Sequence, residues 1–67
     1  MQGVVQKYYK KPRKAAKPYG FIQGDNGNIF FFDGDSVIGN LNVGDKVFFH
    51  GRRNVRGYIA SQVQVIL

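Results

Sequence analysis

Hydrophobic positions recur along this chain in short alternating runs, and nowhere at the three- and four-residue spacing that an amphipathic helix needs over three turns. Strands are therefore expected. Residues 4–9 form a first strand by their β-branched and aromatic content. Residues 10–18, with two prolines and five cations, form a loop, because proline cannot donate to a ladder. Residues 19–23 make a second strand and residues 28–32 a third, joined through Asp25-Asn26-Gly27, where Asn-Gly supplies the positive φ of a tight hairpin. Asp33-Gly34-Asp35 ends the third strand with turn residues. A longer connection runs to Gly44, and within it Val37, Ile38, Leu41 and Val43 are placed to cap one end of the fold. Residues 46–50 form a fourth strand, residues 51–57 a basic loop between two glycines, and residues 58–67 a fifth strand in which Val63, Val65 and Leu67 alternate with Gln62, Gln64 and Ile66.

Five short strands, each with one apolar face, escape exposed edges best by curling into a closed barrel. The expected fold is all-β, a five-stranded antiparallel barrel of the OB type, as a single domain over residues 1–67. An SH3-like barrel has a similar number of strands, and strand spacing does not separate the two.

Composition sharpens this picture. A chain of 67 residues buries only about 60% of its unfolded surface. It has no cysteine to staple it, so its core must be nearly all hydrocarbon. The longest hydrophobic run is four residues, Ile29 to Phe32, and no apolar segment opens the chain, so a cytoplasmic domain outside the membrane is expected. The formal charge is +6, and six of the ten cations lie between Lys7 and Lys17, before the first acid, Asp25. Arg52, Arg53 and Arg56 form a second group. Clustered cations are the footprint of a phosphate-backbone binder, although a merely solubilising surface carries charge too.

The aromatic residues bear on that choice. Alternation places Tyr19 and Phe21 on one face of the second strand and Ile22 on the other. In the third strand it separates Phe30 and Phe32 from Ile29 and Phe31. The expectation is that Tyr19, Phe21, Phe30 and Phe32 share an exposed patch, that Tyr8 joins it from the first strand, and that Ile22, Ile29 and Phe31 face the core. Phe30-Phe31-Phe32 and Phe48-Phe49 are consecutive, so at least two of the five point outward in any register. Phe48 either extends the patch or packs under the basic loop. Exposed rings bordered by lysines suit unpaired bases, each of which stacks on a ring for about 1–3 kcal/mol.

The run Lys17-Pro18-Tyr19-Gly20-Phe21-Ile22 followed by Asn26-Gly27-Asn28-Ile29-Phe30-Phe31-Phe32 resembles the two ribonucleoprotein motifs of the cold-shock domain, commonly K-G-F/Y-G-F-I and D-V-F-V-H-F. Gly3-Val4-Val5 is similar to that family's first strand, residues 41–49 to the approach of its fourth, and Gly57 to Ala60 with Val63 to its last. The resemblance implies a five-stranded OB barrel that binds single-stranded RNA or DNA on the motif face and acts as a nucleic-acid chaperone without catalysis. It implies stacking by Tyr8, Tyr19, Phe21, Phe30 and Phe32, and phosphate contact by Lys7, Lys10 and Lys17. Arg52, Arg53 and Arg56, with Arg13 and Lys14, are further candidate phosphate contacts, expected on loops to act mainly on the rate of encounter. There are departures. Lys7 stands at a usual stacking tryptophan, Pro18 at a motif glycine, Phe32 at the usual histidine and Asp33 at a common phenylalanine. The loop over residues 10–17 is longer and more basic than usual, and the connection from Asp33 to Leu41 shorter.

With one histidine, no cysteine and four scattered aspartates, the sequence assembles no metal site, cofactor cradle or catalytic triad, and no enzyme is expected. Two other classes stand beside single-strand binding. One is a protein-interaction or ribosome-associated barrel that uses the aromatic patch, the other a duplex binder that uses charge alone. No residue pattern marks a reader of the 2′-hydroxyl, so RNA and DNA are both open. A monomer is expected.

Overall fold

The computed structural model describes residues 1–11 and 16–66; the expectations for Arg13, Lys14 and Leu67 lie outside the described residues. The strands are β1 (Gln2–Tyr9), β2 (Tyr19–Gly24), β3 (Ile29–Asp33), β4 (Val37–Ile38), β5 (Lys46–Asn54) and β6 (Gly57–Val65), with a 3₁₀ turn at Gly34–Ser36 before β4. They form one sheet in the order β3-β2-β1-β5-β6-β4, and a further pairing of β3 with β6 closes five of them into a barrel. The five-stranded OB-like barrel expected from the sequence is what forms, with β4 as an added short strand. Its strands are not all antiparallel, because β3 and β6 run parallel where Phe31 meets Ile59. An odd number of strands cannot alternate direction all the way round a closed ring, so one parallel seam is required.

The core consists of Val5, Ile22, Phe30, Phe32, Leu41, Val47, Phe49, Ala60 and Val63, with Tyr8, Val37, Tyr58 and Val65 packed against it. Among the described residues no buried side chain is polar. The rings meet edge to face or tilted, the centroid of Phe30 5.0 Å from Phe49 and 5.3 Å from Tyr58, and Phe32 5.2 Å from Tyr8. Each such contact is worth about 0.5–1.5 kcal/mol beyond its area. Of the four residues expected to cap the barrel, Leu41 is buried and Val37 half-buried, whereas Ile38 and Val43 are exposed.

Three turns depart from expectation or define it. Gly27 N–H donates to Gly24 O and Gly24 N–H to Asn28 O, so the β2–β3 loop has three residues and places Gly27 at a φ of 87°. At the end of β3, Asp33 accepts hydrogen bonds from the Ser36 amide and hydroxyl, both at 3.1 Å, which sets the 3₁₀ turn as the sequence suggested. The basic loop over residues 51–57 is mostly strand: Arg52 pairs with Ile59, Arg53 with Tyr58 and Asn54 with Gly57, leaving only Val55 and Arg56 to turn. Nothing in Gly51-Arg52-Arg53 forbids extended backbone, and Gly51 suits this path because a Cβ there would sit 2.7 Å from the Phe30 ring.

Gly20 lets β1 and β2 approach over the Phe32 ring. A Cβ at Gly20 would collide with the Lys7 carbonyl and stand 2.6 Å from Phe32 Cζ. Gly20→Ala is expected to cost about 1–3 kcal/mol through overpacking, read as a lower urea midpoint. An unchanged midpoint would mean that the strands separate here at no cost.

Candidate functional site

Outward positions on three neighbouring strands build the site. On β2, Tyr19, Phe21 and Gln23 alternate with the buried Gly20, Ile22 and Gly24. Phe21 lies opposite Phe31 on β3, and Ile22 opposite Phe30. On β1 a bulge intervenes: Val5 pairs with Ile22 but Lys7 with Phe21, so Gln6 is an extra residue that turns Lys7 and Tyr9 outward and Tyr8 inward. Four rings then form one surface. The Tyr19 centroid is 5.0 Å from Tyr9, 6.0 Å from Phe31 in a stacked arrangement and 6.2 Å from Phe21, and Phe21 is 5.8 Å from Phe31. Tyr9 and Phe31 each keep 40% of their surface exposed.

Three of the stacking residues expected from the sequence are therefore placed differently. Phe30 is 2% exposed and Phe32 not at all, while Ile29 and Phe31, expected inside, face solvent. A two-residue Asn26-Gly27 turn would pair Phe21 with Phe32 and bring Phe30 and Phe32 out. The third loop residue shifts the register by one, and a one-residue slip exchanges the faces of a whole strand. Tyr8, opposite Gly20, is half-buried against the Phe32 ring. The bulge gives its outward place to Tyr9. Tyr9 and Phe31 are the ring positions missed by the sequence reading; the adjacent polar pair Gln6-Lys7 was the available sign of a bulge. Tyr19 and Phe21 sit on the outer face as expected, half-buried by their neighbours.

A single row of register-matched residues crosses all five barrel strands. Lys7 on β1 is opposite Phe21 on β2, Phe21 opposite Phe31 on β3, Phe31 opposite Ile59 on β6, and Ile59 opposite Arg52 on β5. At about 4.8 Å per strand, the row spans about 19 Å with a cation at each end and apolar side chains between. Phe21 stands between two open concavities. One, of ≈ 460 Å³, is lined by Lys7 and Tyr9 on its β1 side and by Tyr19 and Ile29; the other, of ≈ 540 Å³, is lined by Phe31, Asn54, Arg56, Tyr58 and Ile59.

The other cations expected at the site divide. Lys10 donates to Asn42 Oδ1 at 3.0 Å and its ammonium lies 5.5 Å from the Tyr8 ring centroid. Lys17 is bound to Asp35 at 2.9 Å, each side chain 74% exposed. The hydrogen bond to Asp35, and then its charge, hold the Lys17 ammonium above the ordinary lysine pKa. The small stabilisation this gives is complete below the ordinary lysine pKa and is lost only as pH rises through the raised one, in the alkaline range. Arg53 turns from the row and lays its guanidinium 5.6 Å from the Tyr58 centroid. Phe48, 48% exposed, lies between Gln2 and Gln64 and lines neither concavity. Among the described residues no three metal-ligating side chains gather, and no helix is long and apolar enough to cross a membrane. No protein-family model matches the chain, and no curated protein matches it.

Proposed function

We propose that this chain is a single-stranded nucleic-acid binder of the cold-shock kind that its motifs resemble. It acts as a cytoplasmic monomer and a chaperone of unpaired RNA or DNA, without covalent chemistry or cofactor. The observation that carries the reading is the row Lys7–Phe21–Phe31–Ile59–Arg52 with Tyr9 and Tyr19 beside it. Flat apolar rings take the faces of bases, and cations at both ends take the phosphates of the strand that carries them. In a duplex the base faces are already stacked, so this surface favours unpaired strands. Tyr9, Tyr19, Phe21 and Phe31 are the stacking residues of this proposal, and Lys7, Lys10, Lys17, Arg52 and Arg56 its phosphate contacts.

The test is a titration with an oligopyrimidine strand and with its duplex, followed by tyrosine fluorescence, which no tryptophan obscures. Quenching with a clear preference for the single strand is expected. Equal affinity for the duplex would reduce the interaction to charge. No affinity for either, with a protein partner retained after nuclease treatment, would assign the rings to a protein surface instead.

The Lys17–Asp35 pair offers a finer check. Phosphate must compete with Asp35 for this ammonium, so Asp35→Asn is expected to strengthen single-strand binding by about two- to threefold at low salt, within the range of exposed ion pairs. The same variant should melt only slightly below the wild-type temperature, because the pair is exposed. A weaker complex would show that Asp35 positions Lys17 rather than competing for it.

A further inference from the structure

The β5–β6 hairpin has features that the single-strand face does not use. Its partner strands leave it early: β1 pairs with β5 over Lys46 to Phe48, Met1 adding hydrogen bonds to Phe49, and β3 pairs with β6 only at Ile59. The pairs Arg53 with Tyr58 and Asn54 with Gly57 therefore belong to a two-stranded ribbon with no third strand paired to it. It extends about 7 Å beyond the shared sheet at ~3.4 Å per residue, with the turn beyond that. The ribbon is held in one direction. Tyr58 packs on Phe30 in the core, Arg53 lies over Tyr58, and the Arg56 amide donates to Asn54 Oδ1 at 2.8 Å to fix the turn.

At its tip stands Val55, fully exposed at 103%. Hairpin turns favour glycine, asparagine and aspartate. A valine that touches nothing contributes no packing to the fold. A lone exposed apolar residue is ordinary, but this one is surrounded in sequence by Arg52, Arg53 and Arg56 with no acid nearby. Arg56 and Asn54 also line the concavity that contains Phe21 and Phe31, so the tip and the stacking rings share one groove.

We propose that this hairpin docks at the place where a double-helical stem opens into a single strand. The Val55 isopropyl group covers the exposed face of the last base pair, an apolar surface that the stem end leaves open to water. Arg52, Arg53 and Arg56 meet the two backbones where they diverge, where phosphate density is high. The strand released from the stem passes through the groove by Arg56 onto Phe31 and Phe21. A rigid apolar tip against base pairs, framed by arginines, is a known way for protein to hold open stacked bases.

This inference rests on the single-strand reading, and its test separates the two. Three probes are titrated: a stem-loop with a single-stranded pyrimidine tail, the tail alone and the blunt stem-loop. The wild-type protein is expected to bind the tailed stem at least about fivefold more tightly than the tail, as the added burial of one valine and extra phosphate contacts imply. Val55→Ser is expected to abolish that preference while binding the tail as before, which also shows that the variant is folded. Equal affinity of the wild type for tail and tailed stem overturns the hairpin assignment and leaves the single-strand face standing. A preference undiminished in Val55→Ser overturns it as well. No binding of the tail at all overturns the single-strand reading and the junction with it.

Discussion

Phe32→Ala is expected to cost about 3–5 kcal/mol of folding stability, whereas Phe31→Ala, one residue earlier, should leave the fold intact and weaken single-strand binding by about 1–3 kcal/mol. Phe32 has no exposed surface, carries the Tyr8 ring 5.2 Å away and lies against the bare backbone of Gly20. Removing its ring leaves a cavity in a core of only nine buried residues among those described. A domain of 67 residues has roughly 3–10 kcal/mol to lose at the usual 0.05–0.15 kcal/mol per residue. Phe32→Ala should therefore be largely unfolded or melt far below the wild type. Phe31 packs on the outer face against Tyr19 and Phe21, with Ile59 opposite it on β6, and 40% of it is open to solvent. Its truncation leaves no internal void. Urea denaturation and an oligopyrimidine titration on both variants decide the matter. A folded Phe32→Ala that has lost binding, beside a destabilised Phe31→Ala, would reverse the two faces of β3.

That pair of residues also shows where legibility in the sequence ends. The existence of the strands, the turn at Asp33-Gly34-Asp35 and the closure into a barrel follow from residue types that act locally, such as β-branched runs, Asn-Gly and Asp-Gly. Facing is not local. Whether Phe31 or Phe32 is inside depends on whether the loop before them has two residues or three, and Asn26-Gly27 is compatible with both. Whether Tyr8 or Tyr9 joins the outer rings depends on the single extra residue Gln6 in β1. The composition of the face was legible as aromatic and cationic, since at least two phenylalanines had to point outward. Its aromatic membership was not, apart from Tyr19 and Phe21, although the cations Lys7, Arg52 and Arg56 were. In the arginine hairpin the two flanking glycines suggest the bounds of a loop, but Gly51 clears the Phe30 ring, and only Gly57, at a φ of 125°, serves the turn.

Salt is expected to separate the contribution of the rings from that of the cations, and its effect is large. A single strand that gives up about five phosphates to Lys7, Lys10, Lys17, Arg52 and Arg56 should lose about 130-fold in affinity over a fourfold rise in salt, at a slope of about −0.7 per phosphate. Lys7→Gln should then flatten the plot of log affinity against log salt by about 0.7, because one counterion fewer is released. Phe21→Ala should lower the whole line by about 1–3 kcal/mol without changing its slope, because a lost stack releases no ion. These two residues are opposite each other across β1 and β2, so the strand that meets one meets the other. Neighbouring substitutions with separable effects, one on slope and one on intercept, are what the alternating row of charge and rings requires. If Phe21→Ala flattens the line as much as Lys7→Gln does, the ring acts only by steadying the cation, and stacking has no part in binding. If neither changes the line, the strand lies elsewhere on the barrel and the row is not its path.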